Sequence, residues 1–195
     1  MASLRDRAHA LFQTACMAAD PGIALSRALT HTPLPRPDKG GAYRIVSIGK
    51  AAVPMAEAMI AKVQGQAFSA LVVTNYENAR DVAGAIVMAS GHPVPDENGA
   101  KAALAVEAML ADTTSADRVI ALISGGGSAL LPAPVEGVSL ADKAATSRLL
   151  LGAGVDISQL NLVRQALSRL KGGGLLRAAD PARKPQPADP DHALE

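Results

Sequence analysis

The sequence predicts an α/β fold, a three-layer α/β/α sandwich around a mostly parallel sheet. Three observations lead there. Four short runs rich in Val, Ile, Leu and Ala have the length and composition of buried strands. Longer segments with helical apolar spacing alternate with them, which is the pattern of a parallel sheet covered by helices. The chain has 195 residues, 49% of them hydrophobic, enough for one domain with a sizeable core. With two Phe, two Tyr and no Trp, that core must be built from Ala, Leu, Val and Ile.

Leu4, Ala8, Leu11, Phe12, Ala15, Cys16 and Ala19 fall on one helical stripe, with charges opposite. Cys16, the one cysteine, is therefore expected to be a buried structural thiol. Asp20-Pro21 suits an N-cap and first-turn proline of a second helix ending near Leu29. His31 to Gly41 is a proline- and glycine-containing loop.

Tyr43 to Ile48 reads as the first strand, and Gly49-Lys50-Ala51-Ala52 leads into a helix through Met55, Met59 and Val63. Lys50 thus lies at the carboxyl edge of the sheet, where open α/β sheets bind ligands. A lysine at a helix start opposes the helix dipole unless an anion compensates it, although a solvated lysine fits the same position. Ser69 to Asn75 and Ala85 to Ala89 are the second and third strands. The loop from Ser90 to Gly99 follows, with His92 and with Asp96 as the N-cap of a helix through Ala102, Val106, Met109 and Leu110. Asp96 suits capping better than a cleft role, while His92 suits either a cleft or a local hydrogen bond.

Arg118 to Ile123 is the fourth strand, and it runs into Ser124-Gly125-Gly126-Gly127-Ser128 before a further apolar segment that resembles a helix start. Glycines at such a junction can adopt positive φ, so that successive N–H groups and two serine hydroxyls face one concavity. This reads as an anion cradle for phosphate; a tight turn that needs glycine for sterics alone accounts for the same residues. Ser139 caps a helix to about Leu151, with Asp142 completing a capping box. Ser158 then opens a helix whose buried stripe is Leu160, Val163, Leu167 and Leu170. Asn161, Arg164, Ser168 and Lys171 share the neighbouring face. That face suits either an anion clamp or ordinary solvation. After Gly172-Gly173-Gly174 the chain changes character, and residues 183–195 are expected to be a disordered proline-rich tail.

Several function classes are disfavoured. Nineteen basic against 18 acidic residues, with few aromatics, argue against a nucleic-acid or membrane surface. A single cysteine excludes an internal disulfide framework and zinc-ribbon spacing. No apolar stretch approaches the ~20 residues of a membrane span, and no signal core is present, so a cytoplasmic location is expected. The first strand-to-helix turn lacks a dinucleotide fingerprint, and no GxxxxGK[ST] P-loop occurs.

Four motifs in order carry a family resemblance. They are Ser47-Ile48-Gly49-Lys50-Ala51-Ala52, Gly91-His92-Pro93-Val94-Pro95-Asp96, Leu122 to Leu130 with its triple glycine, and Asn161-Leu162-Val163-Arg164 through Lys171-Gly172-Gly173. Together they resemble the class II glycerate kinases, the glycerate 2-kinases with a C-terminal MOFRL domain that are often named hydroxypyruvate reductases. The resemblance spans roughly Leu4 to Ala182. It implies a Rossmann-like sheet and ATP- and Mg²⁺-dependent phosphorylation of D-glycerate to 2-phosphoglycerate in a cleft between two domains. Lys50 and Arg164 would be catalytic, with Arg164 or Lys171 holding an anionic group. Ser124, Gly125, Gly126, Gly127, Ser128 and Lys171 would bind phosphate, with His92, Asp96 and Asn161 in the cleft and no metal ligand assigned.

Two departures stand out. The family helix commonly reads Val-Arg-Lys-His-Leu-Ser, whereas here Gln165 and Ala166 follow Val163-Arg164. Family members are also about twice as long. The expected organisation is therefore an incomplete first domain over 1–182, a tail over 183–195 and no MOFRL domain. Expected consequences are negligible kinase turnover by the chain alone and either a tendency to aggregate or dependence on a partner, of which a separately encoded C-terminal half is one candidate. Hydride transfer to hydroxypyruvate with a nicotinamide cofactor, and a non-catalytic nucleotide- or anion-binding module, are the competing functions.

Overall fold

A computed structural model describes residues 3–180. Its sheet has four strands: β1 (Tyr43–Ile48), β2 (Phe68–Asn75), β3 (Ala85–Ser90) and β4 (Arg118–Ile123). The spatial order is β3-β2-β1-β4 and every pairing is parallel. β1 and β2 read as near-continuous apolar runs because helices cover both faces of a parallel sheet.

Among the described residues eight α-helices surround it: α1 (Leu4–Ala18), α2 (Pro21–His31), α3 (Ala52–Lys62), α4 (Glu97–Ala111), α5 (Gly127–Leu130), α6 (Leu140–Gly152), α7 (Ile157–Ala166) and α8 (Gly174–Ala179). Strand alternation sorts the core. Val46, Ile48, Leu71 and Val73 face Ala102, Val106 and Leu110 of α4, together with Leu130, Leu131 and Leu170. Tyr43, Ile45, Ala70 and Leu122 face Met59 and Val63 at the end of α3, and Leu29 of α2. The predicted α/β class and the four strands are therefore present, with the second and third strands one residue longer than expected.

The chain departs from expectation at three places. Cys16 is exposed, and α1 buries none of its residues; Phe12 alone is 68% exposed. Apolar spacing identifies the stripe that would be covered, but α1 packs chiefly on α2 and leaves that stripe exposed. α7 is capped by Asp156, whose carboxylate accepts from the amides of Ser158 (2.7 Å) and Gln159 (3.2 Å), so Ser158 lies inside the first turn. α7 also ends at Ala166 instead of running to Leu170. Ser168 and Lys171 therefore do not continue the helical face of Asn161 and Arg164. Their segment is held instead by a bridge between Pro134 and Ser168. The expected tail over 183–195 and the domain boundary at 182 lie outside the described residues.

α6 and α7 form a helical lobe beyond the carboxyl edge of the sheet. Among the described residues, no helix is long and apolar enough to cross a membrane.

Candidate active site

The order β3-β2-β1-β4 puts a topological switch between β1 and β4, since the chain leaves β1 toward β2 on one side and reaches β4 on the other. Loops after such a pair diverge and open a crevice at the carboxyl edge. Here Gly49-Lys50 and Ser124–Gly127 are those loops.

Gly49 (φ 123°) lets them meet: a Cβ there would overlap Ser124 Oγ and lie 2.6 Å from the Ser124 carbonyl oxygen. The Ser124 amide donates to Ile48 O (2.9 Å), the Lys50 amide to Gly125 O (2.8 Å) and the Ala51 amide to Ser124 Oγ (3.0 Å). Ser124 Oγ itself donates to Ile48 O (3.3 Å). Its hydroxyl therefore joins the two strand ends and shapes the turn. The segment after the glycines is helical for one turn only, α5, so the alignment of peptide dipoles there is short. Leading amides of that turn still lack helical acceptors.

Gly126 is the meeting point. With φ at 94°, it offers a bare Cα where a Cβ would sit 3.2 Å from His92 Cδ2 and 3.3 Å from both His92 Nε2 and Lys50 Cγ. Lys50, His92 and the glycine turn thus come together, although they leave three different strands. The loop after β2 joins them. Asn78 Nδ2 donates to Lys50 O (2.9 Å) and to Asn75 Oδ1 (2.9 Å), while Asn75 Nδ2 donates to Glu77 Oε2 (2.5 Å). The Glu77 carboxyl is held below its usual range by its own amide and by Asn75, with His92 and Lys50 adding to the effect. The polar run Asn75-Tyr76-Glu77-Asn78, which leaves a strand's carboxyl end just as Lys50 does, was the available sign of this contribution.

Asp96 is spent on structure. It caps α4 by accepting from the Gly99 amide (2.9 Å), and Tyr76 Oη donates to it at 2.5 Å. Burial works against its ionisation, but Tyr76 and the amides of Gly99, Gly91 and Asn98 hold the carboxyl below its ordinary value.

The lobe supplies cations. Lys171 Nζ donates to the Ser128 carbonyl (3.0 Å) and hydroxyl, and Arg164 Nε reaches Ser147 Oγ at 3.4 Å. A cavity of about 420 Å³ lies between the His92–Pro95 loop, Ser128 and the lobe, lined by Lys143, Arg148, Arg164 and Lys171. A second, of about 490 Å³, shares Gly126, Ser128, Arg164 and Lys171 and adds Asn161. Neither is lined by an Asp or a Glu. Burial, reinforced by Arg164, pushes the Lys171 ammonium down to about 8. Lys143 is likewise pushed down to about 8 by burial, then by Lys171, Arg169 and Arg164. Sequence reasoning missed Lys143, because apolar residues lie on every side of α6 and mark no inward face.

Unlike the cation set, carboxylates are scarce. No group of three or more His, Cys, Asp or Glu side chains among the described residues could hold a metal. Glu77 is the acid facing Lys50 and His92, and its oxygen is already bonded to Asn75. The described residues therefore suit phosphate and carboxylate groups but do not fit a magnesium site.

Residues 7–185 match the family described as a domain of unknown function, DUF4147. An Agrobacterium vitis protein provisionally named hydroxypyruvate reductase is 40% identical over 181 residues, covering 93% of this chain and 40% of that protein. Human glycerate kinase is 37% identical over 204 residues, covering 93% of this chain and 39% of its own length. Among solved structures, glycerate kinase from Thermotoga maritima superposes with a TM-score of 0.79 at 33% identity, covering 87% of this chain and 40% of that one. The fold is thus of a kind found in a solved glycerate kinase. The chain belongs to the DUF4147 family, the N-terminal region of glycerate kinases and of proteins named hydroxypyruvate reductase. It spans about 40% of the length of the relatives it matches.

Proposed function

We propose that this chain is the anion-binding N-terminal region of a glycerate 2-kinase, which transfers the terminal phosphoryl group of ATP to the 2-hydroxyl of D-glycerate. One observation carries the reading: Arg164, Lys171 and Lys143 line cavities at the glycine turn whose lining holds no carboxylate, and Lys50 approaches the same turn at Gly126 from a neighbouring cavity that it shares with Glu77. Phosphoryl transfer asks the protein for positioning and charge neutralisation more than for covalent chemistry. A glycerate kinase must hold two kinds of anion, a phosphate chain and a carboxylate, and two cation groups meeting at Gly126 suit that demand.

In this reading Lys50, a compact charge at the end of β1, neutralises phosphate. Gly125, Gly126 and Gly127 bring backbone close to it, and Ser128 and Lys171 form its second wall. Ser124 holds the turn in shape. Arg164, with a planar fork that pairs with a carboxylate through two hydrogen bonds, grips the glycerate acid group, and Asn161 lies beside it. His92 lines the cleft against Gly126, and Asp96 supports its loop. ATP arrives as substrate; magnesium would screen its phosphates in such an enzyme, and no step here runs through it. Completion of the cleft, including any base for the glycerate hydroxyl, falls to the remaining length that the relatives have. A C-terminal partner region of MOFRL type would supply it.

Separate measurement of binding and turnover tests this. ATP should bind the chain, and Lys50→Ala or Arg164→Ala should weaken ATP or glycerate binding respectively by about fivefold or more, the scale of one lost charge-assisted bond. Turnover of D-glycerate by the 195 residues alone should fall far below the ~1–100 s⁻¹ of ordinary kinases. Binding of neither ligand, or binding indifferent to both substitutions, would remove the reading. The absence of a dinucleotide fingerprint after β1 gives hydride transfer no comparable support.

A further inference from the structure

Lys143 sits on the second turn of α6 and is 3% exposed, an ammonium buried inside the cation lobe. Its Nζ donates to two carbonyls from different walls of the cavity, that of Pro132 and that of Leu167 (3.0 Å). Pro132 O also receives Ser168 Oγ (3.3 Å). Pro132 closes the segment that begins at the glycine turn and Ser128. Leu167 is the C-cap of α7, three residues after Arg164 and four before Lys171. One side chain therefore ties the glycine-turn wall to the wall that carries Arg164 and Lys171.

An ammonium has three N–H donors, and two are used on these carbonyls. The same residue lines the 420 Å³ cavity. The charges that act on it are cationic: Lys171, Arg169 and Arg164, from the α7 side. Arg148 and the His92 imidazole line the same cavity, and the adjacent Asp142 carboxylate is engaged by Ser139 at the start of α6. Arg169 alone among the cations is paired, with both Glu107 oxygens at 2.8 Å. A buried cation with carbonyl partners but no counter-charge is costly, and an anion in the cavity is the missing partner.

We propose that Lys143 is a binding residue of the anion site: it holds the two cavity walls in register and takes up a proton as a multiply charged oxyanion binds, giving its third N–H to that anion. This inference rests on the anion-binding reading above. The proton comes from solvent and converts the amine fraction of Lys143 to ammonium. Because burial and the neighbouring cations hold Lys143 near pH 8, that fraction is appreciable in mildly alkaline solution. Lys171, held near the same value, contributes in parallel.

Inorganic pyrophosphate is the probe, titrated calorimetrically into the purified chain at pH 7 and pH 8.5 in two buffers of different ionisation enthalpy. The parent chain should bind it and take up protons at pH 8.5. Lys143→Met should lose about tenfold or more in affinity at pH 7, the scale of a buried charge-assisted bond. Lys143→Arg should recover most of that affinity while taking up fewer protons at pH 8.5, because arginine does not titrate there. Lys171→Arg should remove a separate share of the uptake. If Lys143→Met fails to fold, Lys143→Arg alone decides through its proton count. Equal affinity in Lys143→Met and parent, equal loss in the Met and Arg variants, or unchanged uptake in Lys143→Arg would each overturn the proposal and leave the anion site standing. Failure of the parent chain to bind pyrophosphate would overturn both.

Discussion

The sheet and the helical lobe solve opposite problems. Around β1 and β2 the large buried side chains are mostly apolar and pack on both faces, from Val46 and Leu71 beneath α4 to Ile45 and Met59 beside α3, with Ser47, Thr74 and Asn75 the buried polar residues of the two strands. In the lobe Lys143 is buried together with Leu160, while Leu149, Leu151, Ile157 and Leu162 stand more than half exposed. Hydrophobic burial should therefore carry most of the stability of the first region. The second is arranged for charge, with most of its large apolar residues turned outward. Stability and anion chemistry are divided between them, and substitutions should report on one or the other.

The largest expected effect breaks the comparison at the sheet. Leu110→Ala deletes a fully buried side chain between α4 and β1/β2, and should cost about 2–5 kcal/mol in a denaturant titration. Leu162→Ala, the same chemical change in the lobe, should stay within about 0.5 kcal/mol because the side chain is 65% exposed. Similar costs at the two sites would mean the lobe has a core of its own.

Gly49→Ala attacks the seam between the regions. It puts a methyl group into Ser124 at φ 123°, so the β1 and β4 ends must separate. About 1–3 kcal/mol of strain is expected, together with loss of phosphate affinity out of proportion to that cost, because Lys50 and Gly126 are positioned by the same contact. Titration of the variant with inorganic phosphate and a melting curve distinguish the two effects.

The lobe should also have its own pH signature. Lys143 is held near pH 8 in the fold against 10.5 in an unfolded chain. Between those values the unfolded state binds more protons, so stability should rise as pH increases from 8 toward 10.5. Below pH 8 the cost of the buried charge is present in full, on the order of 3 kcal/mol for a shift of this size. Lys143→Met should remove its share of that rise and leave the share of Lys171, whereas Leu110→Ala should lower the whole curve and leave its slope alone. Melting temperatures across pH 7–10 make the check.

The same division explains what could be read from sequence. Continuous Val, Ile and Leu runs identified all four strands, since a parallel sheet buried on both faces leaves a one-dimensional signal. The sheet-edge rule brought Lys50, the His92 loop and the glycine turn to one edge, and Gly126 does lie against both Lys50 and His92. α1 was misjudged because its stripe specifies a face without specifying a cover. Lys143 was invisible: its burial comes from two carbonyls, at Pro132 and Leu167, that lie on other segments and leave no periodic trace. The i, i+3/i+4 rule failed at Lys171 because α7 stops at Ala166, and the residue reaches Ser128 through a loop.

The smallest expected effect is at the ion pair that, among the described residues, joins the two regions. Arg169, just beyond α7, pairs through two nitrogens with Glu107 of α4, and both partners are partly exposed. Pairs of this kind contribute at most about 1 kcal/mol, so Glu107→Gln should barely change stability at pH 7. Its charge consequence should reach further than its stability cost. Arg169 is one of the cations that push Lys143 down, and neutralising its partner leaves the local field more positive. The onset of the alkaline stability rise should then move below 8, while the apolar sheet remains indifferent. An unchanged onset would mean that Arg169 acts on the sheet side alone, and that the lobe's electrostatics stop at Arg164 and Lys171.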